Sequence, residues 1–174
     1  MSLTIRPATV VDAPVLCNAE RETARTPGLL VSRPDELMPD AFAQKITALS
    51  HDGLYVVAER DAQIIGHALL EPLGMEALAH VLSLTIVVHP GHLGQGVGTV
   101  LMKHLLGWAR QRPGLLKVEL RVREGNHRAR RLYERFGFVE EGIQRQRIRL
   151  PDGQLIGDVL MAWCAASHLA HPLP

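Results

Sequence analysis

A glycine-dense turn in the middle of the chain separates a β-branched apolar run from a helical apolar pattern. The run, Ser83–Val88, is ended by Pro90, and Gly94, Gly96 and Gly98 then follow before leucines recur at helical spacing. Because glycines carry no Cβ, backbone N–H groups of the turn can point together at one spot beside the positive end of the next helix. This order of strand, turn and helix predicts a binding site for a phosphate or pyrophosphate.

Two other kinds of phosphate-binding turn fit these residues poorly. A P-loop requires Gly-Lys-Ser/Thr after its spacer, whereas Val97 and Thr99 follow the glycines here. A dinucleotide-binding turn requires G-x-G-x-x-G and an acidic residue about 20 positions later. The third glycine stands one position early, and Glu119 matches neither the expected spacing nor the expected place. Neither of these nucleotide-binding classes is therefore predicted.

Two blocks of the sequence resemble one family. The segment Leu93–Gly98 resembles the R/Q-x-x-G-x-G/A signature of the GNAT superfamily of acyl-CoA-dependent N-acetyltransferases. About 30 residues later, a strand over Val118–Val122 precedes Asn126–Phe138, which resembles the N-x-x-A-x-x-L-Y-x-x-x-G-F helix of that superfamily. The resemblance covers roughly residues 3–164. Leu93 departs from the pattern, since relatives usually have Arg or Gln there, and this implies one side-chain contact fewer with the pyrophosphate.

The resemblance implies acetyl-CoA as the acyl donor, lying between the two central strands. Its pyrophosphate would lie on the amides of the turn, and its pantetheine arm would pair with the preceding strand as an added strand does. Asn126 resembles the asparagine beside that arm, and by its own position it is also a good helix N-cap. The cofactor-binding residues implied in this way are Ile86, Val87, Val88, Leu93, Gly94, Gln95, Gly96, Val97, Gly98, Thr99 and Asn126.

Tyr133 is the catalytic residue that the resemblance implies. It matches the superfamily tyrosine near the thioester sulfur, where a phenol can donate a proton to the departing thiolate. Helical periodicity alone would predict only an apolar contact. No general base is evident, because Ser83 and Thr85 share the face of the central strand where many relatives carry a glutamate, so a water relay is expected. The titratable candidates nearest in sequence are Glu71, His67 and His80.

The remaining histidines and arginines suggest further contacts. His89-x-x-His92 and His168-x-x-His171 have a spacing that metal ligands use, but the first pair flanks the phosphate turn and the second lies in the tail. No metal site is therefore predicted. A group of arginines surrounds the Asn126 helix, where one or two could meet CoA phosphates while most form a solvated face. They are Arg121, Arg123, Arg128, Arg130, Arg131 and Arg135.

Length and charge limit the class of protein. A chain of 174 residues can bury the core of one domain, expected over residues 1–166 and followed by a tail over 167–174. A formal net charge of +1 argues against non-specific nucleic-acid binding. Two cysteines are too few for a disulfide framework, and both are expected to be buried thiols. The first residues lack the apolar core of a signal peptide, and no apolar run approaches a membrane span, so a cytoplasmic protein is expected.

Apolar periodicity predicts seven strands and four helices. Strand Ser83–Val88, the helix Val97–Gln111 and strand Leu115–Val122 form a βαβ unit, so those strands run parallel and their carboxyl ends mark the ligand site. With the resemblance, this predicts an α/β (α+β) fold, a mostly antiparallel sheet with one splayed parallel strand pair flanked by helices. The loop Arg25–Pro39 is interpreted as a substrate-side loop, with a plain surface excursion as the alternative.

The predicted function is transfer of an acetyl group from acetyl-CoA to a primary amine, by direct attack in a ternary complex. Relatives that share the terminal pattern of this chain often act on small amines or amino acids. A protein N-terminus or lysine is the competing acceptor. A non-catalytic acetyl-CoA sensor is the alternative of another class, and the presence of Tyr133 favours the enzyme. Relatives usually dimerise through their last strands, which leaves a homodimer open.

Overall fold

A computed structural model describes residues 3–165, and within them seven strands form one sheet. Their order across the sheet is β1-β2-β3-β4-β5-β7-β6, with β4 and β5 as the parallel pair and every other neighbouring pair antiparallel. This confirms the mostly antiparallel sheet with one parallel pair. The tail expected over 167–174 lies outside the described residues. The strands are β1 (Thr4–Pro7), β2 (Leu54–Arg60), β3 (Gln63–Pro72), β4 (Val81–Val88), β5 (Lys117–Arg123), β6 (Val139–Arg149) and β7 (Leu155–Cys164).

Four α-helices accompany the sheet within the same range. They are α1 (Ala13–Ala24), α2 (Pro39–Asp52), α3 (Val97–Gln111) and α4 (His127–Arg135). The bounds of α3 are those predicted, whereas α1 begins later than its Thr9 cap suggests. The carboxylate of Asp12 accepts the Thr9 backbone N–H at 2.8 Å and closes a short 3-10 turn over Val10–Asp12. The α-helix therefore starts only at Ala13.

Two apolar clusters pack on opposite faces of the sheet. One cluster contains Leu101 and Leu105 of α3 together with strand residues such as Leu82 and Val118. In the other, α1 and α2 cover β2 and β3. Side chains alternate between the two faces of each strand, so successive β3 residues serve different clusters. Of the two cysteines, Cys17 is buried as predicted, whereas Cys164 at the end of β7 is partly exposed.

The parallel pair is short and then separates. Residues 81–83 of β4 pair with residues 117–119 of β5, but β4 continues to Val88 and β5 to Arg123 without further pairing between them. On their outer sides both strands stay bonded, β4 to β3 as far as Val88 and β5 to β7 as far as Arg123. Within the described chain, the inner edge of β4 beyond Ser83 therefore has no partner strand, and a cleft opens at the carboxyl ends of the pair.

Candidate functional site

The cleft between β4 and β5 has two lobes. The loop lobe, of about 360 Å³, is lined by the turn after β4 and by α4. The strand lobe, of about 440 Å³, is lined by polar side chains of β4 and β5. The lobes meet in the middle, and the residues that line both are Leu29, Leu30, Ile86, Val87, Asn126, Ala129 and Tyr133. Because Leu29 and Leu30 belong to the loop Arg25–Pro39, that loop borders the site.

The glycine turn forms a concave end of the loop lobe. Gly94 and Gly96 have φ angles of +84° and +81°, in the left-handed region that favours glycine. Gly96 is the N-cap of α3, and among the described residues no other atom lies within 4 Å of where its Cβ would stand. The N–H groups of the first turn of α3 have no acceptor within the helix, so they are available to an anion at this open spot.

Gly98 has a different role from the other two glycines. A Cβ there would stand 3.0 Å from Cδ2 of Leu132 and 3.6 Å from Cγ2 of Val88. The missing side chain thus allows α4 to pack closely against the first turn of α3. Arg128, one helical turn before Leu132, reaches back over the turn, with Nη2 3.0 Å from the place of a Cβ on Gly94.

Two predicted turn residues differ in what their side chains do. Leu93 lines the loop lobe and is 52% exposed, so the lobe has an apolar side chain where relatives usually have Arg or Gln. The side chain of Gln95 does not line the cleft. Its Nε2 donates to the carbonyl of Gly91 at 3.0 Å, and its Oε1 accepts from Nη1 of Arg60 at 2.8 Å. Gln95 therefore braces the turn from behind.

Asn126 and Tyr133 lie on α4 where the two lobes meet. Oδ1 of Asn126 accepts the backbone N–H of Ala129 at 3.2 Å, which confirms the predicted N-cap. The side chain of Tyr133 is buried and packs against Phe138, with ring centroids 5.8 Å apart. Burial raises the pKa of the Tyr133 phenol, although nearby Arg123 acts in the opposite direction. The phenol consequently stays protonated at neutral pH and can donate a proton or a hydrogen bond.

The strand lobe brings together charged groups that are separated in sequence. Glu119 lies opposite Ser83 in the parallel register, and both line this lobe with Arg121. The Glu119 carboxylate is 3.7 Å from Nζ of Lys117, whose shorter contact, at 2.8 Å, is with Glu141. Within residues 3–165, no carboxylate lies within 4 Å of the Arg121 guanidinium. The sequence analysis considered Glu119 only as the acidic residue of a dinucleotide-binding turn, rejected it there, and did not assign it to this site. Pairing the predicted parallel strands could have placed it beside Ser83.

A buried ion pair closes the floor of the strand lobe. Arg123 of β5 is paired with Asp158 of β7, its neighbour in the antiparallel register, and both side chains are almost fully buried. Asp158 also accepts from Nε of Arg147 at 3.1 Å. Because its guanidinium is paired with this buried carboxylate, Arg123 holds β5 to β7 and is less available to a ligand than Arg121 is.

None of the three general-base candidates predicted from the sequence lines the cleft. Glu71 pairs with Lys45 at 3.1 Å, and His80 is exposed before β4. His67 is opposite Val87 in the register of β3 and β4 and is fully buried, with its Nδ1 2.9 Å from Nε2 of His89 and its Nε2 3.0 Å from Glu20.

His89 lies at one end of this chain of hydrogen-bonded side chains and is neutral at pH 7. Burial, together with the adjacent His67, lowers the pKa of His89 to about 3. Its Nδ1–H donates to the carbonyl of Ile64 at 3.1 Å, so its Nε2 must accept from His67. Both ring nitrogens of His89 are therefore occupied within the protein, and it cannot act as a metal ligand with His92.

Comparison with known proteins gives consistent matches. The chain matches the model of the acetyltransferase (GNAT) family over residues 16–138. It is 33% identical over 116 residues to the N-alpha-acetyltransferase RimI of Mycobacterium tuberculosis, and the aligned residues cover 67% of this chain and 70% of that protein. It is 32% identical over 88 residues to the spermidine N(1)-acetyltransferase of Vibrio cholerae, which covers 51% of this chain and 50% of that protein.

A solved structure also matches this chain. An acetyltransferase of the GNAT family from Streptococcus pneumoniae aligns with a TM-score of 0.85 at 25% identity, covering 94% of this chain and 100% of that one. As to membranes, none of the helices within residues 3–165 has both the length and the apolar character needed to cross one.

Proposed function

Since the chain belongs to the acetyltransferase (GNAT) family, we propose that it moves an acetyl group from acetyl-CoA to the primary amine of a small molecule, with an amino acid as the preferred class. The choice of acceptor rests on the charged groups that line the strand lobe. There a carboxylate, Glu119, and the guanidinium of Arg121, which has no carboxylate partner within residues 3–165, line one cavity of about 440 Å³. A zwitterionic acceptor of amino-acid size matches both charges.

The loop lobe fits acetyl-CoA. The open space above Gly96, the left-handed turn and the first N–H groups of α3 suit a pyrophosphate. The inner edge of β4 beyond Ser83, which pairs with no strand of the described chain, suits the amides of a pantetheine arm. Acetyl-CoA supplies a reactive thioester, whose C–S bond breaks as the C–N bond to the amine forms.

Proton transfer divides between the two lobes. At neutral pH an alkylamine is mostly a cation, and it must lose a proton before or during attack. Two carboxylates, Glu119 and Glu141, line the strand lobe, and Glu141 is paired with Lys117 at 2.8 Å. We therefore assign to Glu119, opposite Ser83 in the register, the role of attracting the ammonium group and taking this proton through water held by Ser83. Tyr133, where the lobes meet, donates a hydrogen bond to the departing sulfur.

A protein N-terminus is the second candidate acceptor. The RimI protein that matches over 70% of its length is an N-alpha-acetyltransferase, and a terminal amine needs the same proton chemistry. The loop that carries Leu29 and Leu30 borders the strand lobe that a peptide N-terminus would have to enter. A non-catalytic acetyl-CoA sensor would need no donor at the position of Tyr133.

The test is a panel of amines incubated with acetyl-CoA and the protein, with free thiol measured continuously and products identified by mass spectrometry. The panel contains the amino acids, polyamines including spermidine, and peptides with different N-terminal residues. We expect multiple turnovers with one or more amino acids. Turnover with peptides alone would contradict the small-molecule assignment, and stoichiometric acetyl-CoA binding without turnover on any amine would indicate a sensor.

A pair of arginine variants tests the acceptor site itself. Arg121→Gln should raise KM for an amino acid about tenfold or more and leave KM for an uncharged amine of similar size unchanged, because only the former has a carboxylate to lose. Arg149→Gln, an exposed arginine on β6, is the matched control. If both variants behave alike, Arg121 does not bind the acceptor.

A further inference from the structure

The turn of this protein lacks the side-chain donor that the resemblance leads one to expect. Leu93 stands at that position, and its half-exposed side chain cannot donate a hydrogen bond. The backbone of the turn is nevertheless built for an anion, with Gly94 and Gly96 in the left-handed region and the start of α3 behind them. The loop lobe thus has an anion cradle without a cation from its own loop.

A cation stands over the cradle from a different element. Nη2 of Arg128, on α4, is 3.0 Å from the place that a Cβ of Gly94 would occupy, and the side chain lines the loop lobe with the turn. The packing of Leu132 on Gly98 fixes this approach, because residues four apart lie on the same face of a helix. The contact of Leu132 with Gly98 therefore helps to position Arg128.

Arg128 is also poorly placed for the stability of its own helix. It lies in the first turn of α4, where the helix dipole disfavours a positive charge, and that turn holds no acidic residue. Within residues 3–165, no carboxylate lies within 4 Å of its guanidinium. By contrast, Arg130 on the same helix pairs with Glu140 at 3.1 Å. An unfavourable placement of a charge in its own helix is characteristic of residues that bind a ligand.

We propose that Arg128 supplies the charged side-chain contact to the pyrophosphate of CoA, in place of the Arg or Gln that relatives usually carry at the position of Leu93. In this protein the cation has moved from the turn to α4. The inference rests on the proposed use of acetyl-CoA. It goes further because it assigns a specific phosphate contact to a residue outside the glycine signature. CoA affinity would then depend on the position of α4, which carries Arg128.

Calorimetric titration with CoA, 3′-dephospho-CoA and pantetheine tests the assignment without relying on activity. Arg128→Ala should weaken binding of CoA and of 3′-dephospho-CoA by the same factor, about ten- to a hundredfold, because both retain the pyrophosphate. Pantetheine, which has no phosphate, should bind both proteins equally. Arg131→Ala, an exposed arginine of α4 that does not line the lobe, is the matched control and should bind like the parent.

Restoring the cation on the turn provides the decisive comparison. Adding Leu93→Arg to the Arg128→Ala protein should restore most of the CoA affinity that Arg128→Ala loses. Adding Leu93→Met, which is uncharged, to the same Arg128→Ala protein should restore none. Loss of CoA binding with unchanged 3′-dephospho-CoA binding would move the contact to the 3′-phosphate and overturn the proposal. Unchanged affinity in Arg128→Ala would also overturn it. A parent protein that binds no CoA would instead refute the proposed function.

Discussion

Replacing Tyr133 by phenylalanine removes one hydroxyl at the junction of the two lobes. The side chain is 7% exposed and packs on Phe138, and its hydroxyl makes no hydrogen bond to any residue within 3–165. The variant therefore leaves no protein group unpaired in that range, and we expect the free energy of unfolding to change by less than about 1 kcal/mol. Acetyl-CoA affinity should also change little.

The catalytic effect follows from the chemistry of the phenol. A phenol has an ordinary pKa near 10 and a thiol near 8.5, so complete proton transfer to a thiolate is uphill by about 2 kcal/mol for the unperturbed pair. Burial raises the pKa of Tyr133 further. The hydroxyl is thus better suited to stabilising the leaving sulfur by a strong hydrogen bond than to giving up its proton completely. Loss of such a donor lowers the chemical rate by about 10²- to 10³-fold.

Rapid-quench measurement of a single turnover isolates this step, because slow product release can hide it in kcat. Tyr55→Phe is the matched control, since Tyr55 is also a buried tyrosine whose pKa burial raises, yet it lies against α1 and α2 and lines neither lobe. Its single-turnover rate should equal that of the parent. An unchanged rate in a folded Tyr133→Phe protein would refute the donor role and leave Tyr133 as a packing residue.

Three further changes test the turn, the core and the buried histidines. Gly96→Val places a β-branched residue at φ +81° and should weaken acetyl-CoA binding, measured by calorimetry, at least about tenfold. Its circular dichroism spectrum should match that of the parent, and an acetyl-CoA affinity equal to the parent's would contradict the phosphate site. Gly66→Ala should cost about 1–3 kcal/mol in urea unfolding, since its Cβ would lie 2.9 Å from a valine methyl group of α3, whereas Gly107→Ala, with no atom of the described chain within 4 Å, should be neutral or stabilising. The pKa of His89 is lowered to about 3, so below pH ~6.5 the unfolded chain binds more protons at this residue than the folded chain does. The free energy of unfolding should therefore decrease between pH ~6.5 and pH 3, by no more than about 1.4 kcal/mol per pH unit for this group. Urea unfolding of His89→Gln between pH 7 and 4 should give a flatter curve, and an unchanged slope would disprove this linkage.

Much of the fold was predictable because it depends on local interactions. The hairpin of β2 and β3, the bounds of α3 and the N-cap at Asn126 are specified by turn residues, periodicity and caps within a few positions. The start of β5 was predicted two residues early. The backbone N–H groups of Leu116 and Lys117 both bond the carbonyl of His80, so the chain joins the sheet only at Lys117.

The acceptor side of the site was less predictable, because it depends on which strands become neighbours. Glu71, His67 and His80 are near the central strand in sequence, yet none lines the cleft. Proximity along the chain carries no information about the face or the side of a strand on which a ligand lies. Glu119 lies far along the chain and reaches the strand lobe only through the parallel register with Ser83.

The amino-acid sequence by itself predicted the anion cradle, because glycines without Cβ atoms followed by a helix start are recognisable wherever the segment lies. Only the tertiary structure decided which charges surround it. The separation of β4 from β5 after Ser83 creates the cleft, and the contact of Leu132 with Gly98 carries Arg128 over the turn. These depend on packing between distant segments, which local sequence patterns do not specify.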